Sequence, residues 1–292
     1  MRIRSRMLPP GWYPGSKSEC LREIEQMVAG VKPLPPGVKV FGGIVPHAGW
    51  YFSGKLAARV FYLNSLITQP QVVAVFGGHL GGNSPPLLVT DEAWETPLGN
   101  VTLATEFYEP LRKRLTLKEE YPGDNTIEIQ LPLVKHFFPN TKVLALRAPH
   151  SQEAIALGEA VAAVAGELKL SLLAFGSTDL THYGPNYGWA PKGFGSDAVK
   201  WVKEVNDKKF VDLALKMDGE GMLKTAAQDQ SACSAGGAVA AIAAAKKLGA
   251  TKANLVDYYT SYDVMPLVDY YTSYDVMPGD SFVGYAGILL EG

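Results

Sequence analysis

The chain is 292 residues long, 47% hydrophobic and 19% charged, and carries a formal net charge of −2. That composition excludes a disordered polymer and offers no basic field of the kind nucleic acid selects. No uninterrupted apolar run reaches the roughly 20 residues of a membrane span, so neither nucleic acid nor membrane is an expected partner.

A helix is predicted over 16–30, "SKSECLREIEQMVAG", from its opening serine, its near-helical apolar spacing and its closing glycine. Residues 38–45 read as a strand, 53–66 as a helix, and the Val-rich 71–78 as a buried strand. A Gly/Pro-rich stretch leads to a small hairpin around 85–103. Residues 125–138 read as a helix despite Pro132, 141–149 as a strand, 151–168 as a helix and 170–177 as a strand. Helices are expected at about 197–215, 218–226 and 234–249, and the chain closes on strand-like segments at 254–264 and 281–290. Strands alternating with helices imply an α/β fold with a largely parallel or mixed sheet and helices on both faces. No linker divides the chain, so 1–292 is expected to be a single domain.

Only two cysteines, Cys20 and Cys233, occur in the chain. Their number and distance argue against a disulfide scaffold and for a reducing, cytoplasmic location. The N-terminal "MRIRSRMLPPGWYPGS" has no apolar core, so a signal peptide is not expected. One internal repeat stands out. "LVDYYTSYDVMP" fills 255–266 and recurs unchanged at 267–278. Natural repeats drift, so an identical copy points to a recent duplication or a deliberate insertion. Both copies fit the same place in a sheet. The displaced one must become a loop or an edge strand, which the fold should tolerate.

In doubly wound sheets, ligands bind beyond the carboxyl ends of the strands. His47 follows the strand 38–45 in "IVPHAGW", His79 follows 71–77 in "FGGHLGGN", and Asp179 and His182 follow 170–176 in "FGSTDLTHYG". Three strands each deliver a histidine to one edge, in loops that glycine lets turn sharply. Cys233, in "DQSACSAGGA", stands at the start of an Ala-rich helix, where the helix dipole favours thiolate. Two imidazoles and a thiolate make a transition-metal site, which gives His47, His79 and Cys233 as ligands. His182 is then the proton-transfer group, with Asp179 orienting it. His136, late in a helix, is read as structural; His150, after Pro149 at the same edge, stays a reserve candidate with a structural role favoured; Cys20 is read as incidental on the polar side of the first helix. Trp50, Tyr51, Phe52 and Tyr183 could line a cleft.

The segments "PPGWYPGS", "VPHAGWYFSG", "FGGHLGGN", "WETPLGNV", "NTIEIQLPLV", "GSTDLTHYG" and "DYYTSYDV…SFVGYAGILL" together resemble the Memo family, in order and over nearly the whole chain. The resemblance implies a fold similar to the class III extradiol ring-cleaving dioxygenases, which use non-haem iron in a two-His, one-carboxylate site. It places His47 and His79 on the two histidine ligands, His182 on the base, and Cys233 where the family has cysteine in place of the dioxygenase glutamate. A thiolate there moves preference toward copper(I), zinc or thiolate-bound iron. Asn125 stands where many members carry a histidine; Glu128 keeps its place and could face the site, with a helix-surface carboxylate the favoured reading. Animal members are associated with cell motility and phosphotyrosine peptides. Three readings follow: a metal-dependent oxidoreductase, iron- or copper-loaded, of unassigned substrate; a binding module holding a small molecule or peptide in the old cleft; and a metal-free thiol site activated by histidine.

Overall fold

A strand covered on both faces is apolar at nearly every position, and the run from Val72 to Phe76 is. Val72, Ala74 and Phe76 pack into one hydrophobic cluster while Val73 and Val75 pack into another on the opposite face. Fully burying each such valine or phenylalanine contributes roughly 1.5–3 kcal/mol. The computed structural model describes residues 2–264 and 280–292. Its first elements are β1 (Ile3–Arg4), α1 (Lys17–Val28), β2 (Val40–Val45), α2 (Lys55–Ser65), β3 (Val72–Leu80), β4 (Leu87–Leu88), β5 (Ala93–Trp94) and β6 (Val101–Leu103). Then come α3 (Tyr108–Arg112), β7 (Lys118–Glu119), α4 (Asn125–Glu128), α5 (Leu131–Phe137), β8 (Lys142–Pro149), α6 (Glu153–Leu168), β9 (Leu172–Ser177) and β10 (His182–Tyr183). The chain ends with α7 (Ser196–Trp201), α8 (Asp207–Leu215), α9 (Gly219–Asp229), α10 (Ala235–Leu248), β11 (Lys252–Thr260), α11 (Ser261–Val264) and β12 (Phe282–Glu291).

The strands β6, β8, β3, β9 and β2 lie side by side in that order and run parallel. Antiparallel to β2 runs β12, with Ile288 opposite Ile44, and β10 and β11 pair antiparallel to β12. At the other end β5 pairs antiparallel with β6 and β1 parallel with β5. One face is covered by α6, α8, α9 and α10, the other by α1, α2 and α5. This is the mixed α/β architecture that the alternation of segments implies.

Local departures have local causes. The helix expected over 125–138 is two helices, with Ile129 and Gln130 between them. Pro132 sits in the first turn of α5, where its missing N–H is not needed. The helix expected over 197–215 is interrupted by a π-helical segment, Val202–Asn206, between α7 and α8. The strand expected over 254–264 stops at Thr260, where Asp263 accepts from the Thr260 amide at 2.8 Å and from its hydroxyl at 2.9 Å and starts a single helical turn. Cys20 is not on the polar side of α1. It is fully buried with Ile24, one turn on, and its thiol donates to the Pro14 carbonyl at 3.1 Å.

The first repeat copy supplies Leu255–Thr260 of β11, paired to β12. The second copy, 267–278, lies outside the described residues. Its deletion joins Pro266 to Gly279 and recreates the existing Pro278–Gly279 junction. The expected result is an unchanged circular-dichroism spectrum and a gain of about 1 kcal/mol, because a shorter loop loses less entropy on closure. Urea unfolding checks it. A lost cooperative transition would mean that the second copy belongs in the sheet.

Candidate metal centre

The parallel strands β2, β3 and β9 end at one edge, and their ends deliver the chemistry. Pro46 terminates β2 and His47 follows. Gly78 turns the end of β3 at φ +101°, and a Cβ there would stand 2.7 Å from the Arg147 Cβ. The turn carries His79 out of the sheet in the last positions of β3. Asp179 follows two residues after β9, and His182 opens β10. On the covering helix, α10, a Cβ at Gly236 would lie 2.2 Å from the Pro149 carbonyl oxygen and one at Gly237 2.6 Å from that of Phe76. Only glycine allows this approach, which seats Cys233, just ahead of α10, against His47.

All five candidates converge. Ligand atoms of His47, His79 and Cys233 lie within 4.8 Å of one another, as do those of Asp179, His182 and Cys233. The His47 and His79 rings are 5.1 Å apart and nearly perpendicular, and Cys233 Sγ is 3.2 Å from His47 Nε2. The hydrogen bonds fix both ring tautomers. Ser177 spends its single hydroxyl proton on the Thr126 carbonyl at 2.6 Å, and its oxygen accepts from Gln130 at 3.1 Å. Its remaining lone pair faces His47 Nδ1 at 3.3 Å, so Nδ1 carries the proton and Nε2 the lone pair. His79 Nδ1 lies 3.1 Å from Asp124 Oδ2 and donates to it, again leaving Nε2 free. Burial opposes the Asp124 charge, yet hydrogen bonds from His79 and Thr126 and the Arg147 guanidinium outweigh it and hold the carboxyl well below its ordinary range. Burial, with help from His79, pushes His47 down to about 3, so it is a neutral imidazole.

Asp179 is buried and accepts from the His47 amide at 2.6 Å. Burial pushes it up to about 6, against the pull of His182 and of the His47 and Ala48 amides. Its Oδ2 stands 3.8 Å from His47 Nε2 and 3.9 Å from His182 Nε2. Burial lowers His182 against the raising influence of Asp179, and its Nε2 is a buried atom with no hydrogen-bond partner. The expectation of a ready thiolate at Cys233 is corrected. Burial, and then the Asp179 charge, raise the thiol well above its ordinary value despite the helix start. In the metal-free site a neutral thiol faces a neutral imidazole, which speaks against the metal-free nucleophile reading.

The centre opens into a cavity of about 720 Å³, walled by Tyr51, Phe52, Asn125, Tyr187 and Tyr285 among others. A larger cavity of about 880 Å³ beyond Pro10, Gly11 and Tyr51 has neither imidazole nor thiol in its wall. Of the expected cleft aromatics, Tyr51 and Phe52 are in place. Trp50 is instead buried, with its indole donating to the Ile129 carbonyl, and Tyr183 packs against Phe282, Trp189 and Trp201. His150 binds the Leu223 carbonyl at 2.8 Å, and neither it nor His136 lines the cleft. Asn125 does line it, and donates to the His47 carbonyl at 3.1 Å. Asp124, Ser177 and Gln130 set the ligand tautomers and were not singled out in the sequence. Asp124 has a complete local explanation as the N-cap of α4, which hides its second task.

Glu128 is not a surface carboxylate. It is 2% exposed and accepts from the amides of Met7 and Leu8, each at 3.0 Å, and from the Tyr13 hydroxyl at 2.8 Å. It thereby pins the N-terminal segment whose Pro10, Gly11 and Trp12 wall the cleft. Glu128→Ala should cost about 3 kcal/mol, since three donors lose their acceptor. Urea unfolding measures this, and a loss under about 1 kcal/mol would show the segment held by other contacts.

The family model described as Memo-like protein matches residues 4–289. The chain belongs to the Memo family. A MEMO1 family protein of Methanopyrus kandleri is 31% identical over 89% of this chain and 93% of its own length. Those of Thermococcus onnurineus and Pyrococcus furiosus are 27% and 29% identical over 99% of both chains. Among solved structures, that of an uncharacterized protein from Escherichia coli K12 covers 80% of this chain and 91% of its own at 12% identity, with a TM-score of 0.45. The Memo-family match thus takes in every strand end that carries a candidate ligand.

Proposed function

We propose that this Memo-family chain is a metal-dependent redox protein whose centre is held by His47, His79 and Cys233. One observation carries the reading. Three ligand atoms of the right chemistry lie within 4.8 Å, and both imidazoles are anchored through Nδ1, which leaves Nε2 out of those bonds. The donor set fits a transition metal: imidazole suits iron, copper and zinc, and thiolate favours copper(I), zinc or thiolate-bound iron. Each imidazole donates its other ring N–H to a fixed acceptor, as metal-binding histidines do. A metal held there would supply Lewis acidity and one-electron chemistry to the cleft.

The chain's own residues do the rest. His182 lines the cleft, and its Nε2, buried in the present ring position, has no hydrogen-bond partner, so it can take a proton from a ligand that reaches it. The imidazolium that results lies beside Asp179, which stabilises it. Tyr187, with its ring 4.8 Å from that of His182, limits the imidazole's movement. The occupant is a small molecule or peptide, given the aromatic and amide groups on the wall. The free thiols of Cys20 and Cys233 suit a reducing cytoplasm. Among the described residues, no helix is long and apolar enough to cross a membrane.

Anaerobic purification followed by metal analysis tests the centre. Wild type should retain about one iron or copper per chain, and His79→Ala should lose it. Wild type without metal, even after anaerobic loading, would end the reading. A second reading, a binding module without turnover, is favoured by the open, aromatic-lined cavity. Dioxygen consumption with a panel of catechols and added iron(II) separates the two. Uptake that depends on His182 supports the enzyme, and saturable binding without uptake supports the module.

A further inference from the structure

His79 is the exposed ligand of the centre. Its side chain is 41% accessible, against 2% for His47, so packing does not fix its ring. The ring is held instead from behind, through Asp124, by a buried row of alternating charges. Arg147, on β8, places Nη2 3.2 Å from Asp124 Oδ2, the same oxygen that binds the His79 ring and amide. Its Nη1 is 3.6 Å from Glu120 Oε1. The other Glu120 oxygen binds Arg4 of β1, whose Nε reaches Asp91 at 2.8 Å. All five of these side chains are 10% exposed or less. Arg147 Nε and Nη1 have no hydrogen-bond partner.

A row like this is a poor way to stabilise a fold. Buried ion pairs seldom outperform well-packed apolar side chains, and an arginine with two unmatched nitrogens does worse still. Its geometry serves the neighbouring site. Thr126 holds Asp124 Oδ1 through its amide at 3.0 Å and through its hydroxyl. Arg147 holds Oδ2. With both oxygens fixed, the carboxylate plane is set and the His79 ring follows it.

We propose that Arg147 is a positioning residue for the metal centre. Resting on the ligand assignment above, the inference is that the Arg147 guanidinium, ion-paired through Nη2 to Asp124 with the Glu120 charge 3.6 Å from Nη1, locks His79 as the Nδ1–H tautomer. Its Nε2 then faces His47 Nε2 and Cys233 Sγ. Arg4 anchors the far end of the row, so the N-terminal strand is mechanically tied to a ligand on the opposite side of β8. A lysine cannot replace the guanidinium here, because a point charge cannot bridge two carboxylates in a fixed plane.

The test uses the full chain as wild type, Arg147→Met and Arg147→Lys. Two readouts are taken: long-range ¹H–¹⁵N correlation of the histidine rings in the metal-free protein, and zinc(II) affinity by chelator competition. Wild type should show one tautomer at His79, protonated at Nδ1. Arg147→Met should show a tautomer mixture at His79 with His47 unchanged, and zinc binding weaker by about 10–100-fold, the usual effect of losing an outer-shell partner. Arg147→Lys should fall between the two, and if Arg147→Met does not fold, at least a threefold loss in the lysine variant is required. Folded variants that keep the wild-type His79 tautomer and zinc affinity would overturn the inference, whatever happens to their melting temperature. If wild type binds no zinc, the ligand assignment fails, and the tautomer arm still decides whether Arg147 positions the ring.

Discussion

On the proposed ligand assignment, Cys233→Asp should shift the metal preference of the site away from copper(I) and toward iron(II). Thiolate is a soft donor and carboxylate a hard one, and the two imidazoles suit either metal. Those imidazoles are anchored through Nδ1 by Ser177 and Asp124, and the substitution, which removes the Cys233 Sγ contact to His47 Nε2, leaves those anchors in place. Copper(I) affinity should fall by more than the roughly 10–100-fold that an outer-shell loss costs, because a direct ligand is removed. Iron(II) binding after anaerobic loading should persist. The variant also sets a second carboxylate within a few ångströms of Asp179, whose charge burial already disfavours. The metal-free variant should therefore melt lower than wild type, and bound iron should restore much of the difference by mass action. Competition with a copper(I) chelator, iron content and melting temperature with and without metal supply the readings. Copper(I) affinity unchanged from wild type would mean that the sulfur does not ligate.

The sheet, and the meeting of His47, His79, Asp179, His182 and Cys233 at one edge of it, are legible in the sequence because they rest on local rules. Val72 to Phe76 has no polar residue to give either face to water; Pro46 ends β2, and Gly78 turns the last positions of β3 where a side chain must leave the sheet. Three parallel strands that each deliver a histidine at their end or within five residues of it need only the rule that parallel strands end together. Glu128 and Cys20 were misread because each looks like a surface residue within its own helix. What buries Glu128 is the N-terminal segment more than a hundred positions away, and no periodicity reports a partner at that distance. The same limit hid Asp124 and Arg147, which β8 and the α4 cap bring under His79. The misjudged Cys233 thiol is different in kind. The helix start was correctly placed, but its field acts on a group that is also desolvated and beside Asp179, and those two effects win.

Asp207→Asn should make the protein more stable at neutral pH and flatten its pH dependence. Asp207 opens α8 directly after the π-helical segment, is fully buried, and has no cationic partner among the described residues. It accepts from the Thr181 amide at 3.0 Å, from the Thr181 hydroxyl, and from the Tyr258 hydroxyl at 2.7 Å. A Cβ at Gly284 would come within 1.9 Å of its Oδ2, so no room remains for other solvation. Burial pushes the carboxyl from its ordinary 3.8 up to about 7, and the three hydrogen bonds only partly oppose it. The folded state therefore binds a proton that the unfolded chain has already released between those two pH values. The stability that this proton confers is complete below about pH 4 and is lost as pH rises through 7. At about 1.4 kcal/mol per pH unit the loss is bounded by about 4 kcal/mol. Asparagine keeps the shape, its carbonyl can accept from Thr181, and its amide can donate to the Tyr258 oxygen. Urea unfolding at pH 4 and pH 8 should show the variant gaining on wild type between them by up to that amount. Parallel profiles would mean that the carboxylate stays charged in the fold at both pH values. Thr181 lies between Asp179 and His182, so a gain in stability here should come with a looser proton-transfer loop. The carboxylate would then be retained for holding that loop at the expense of fold stability.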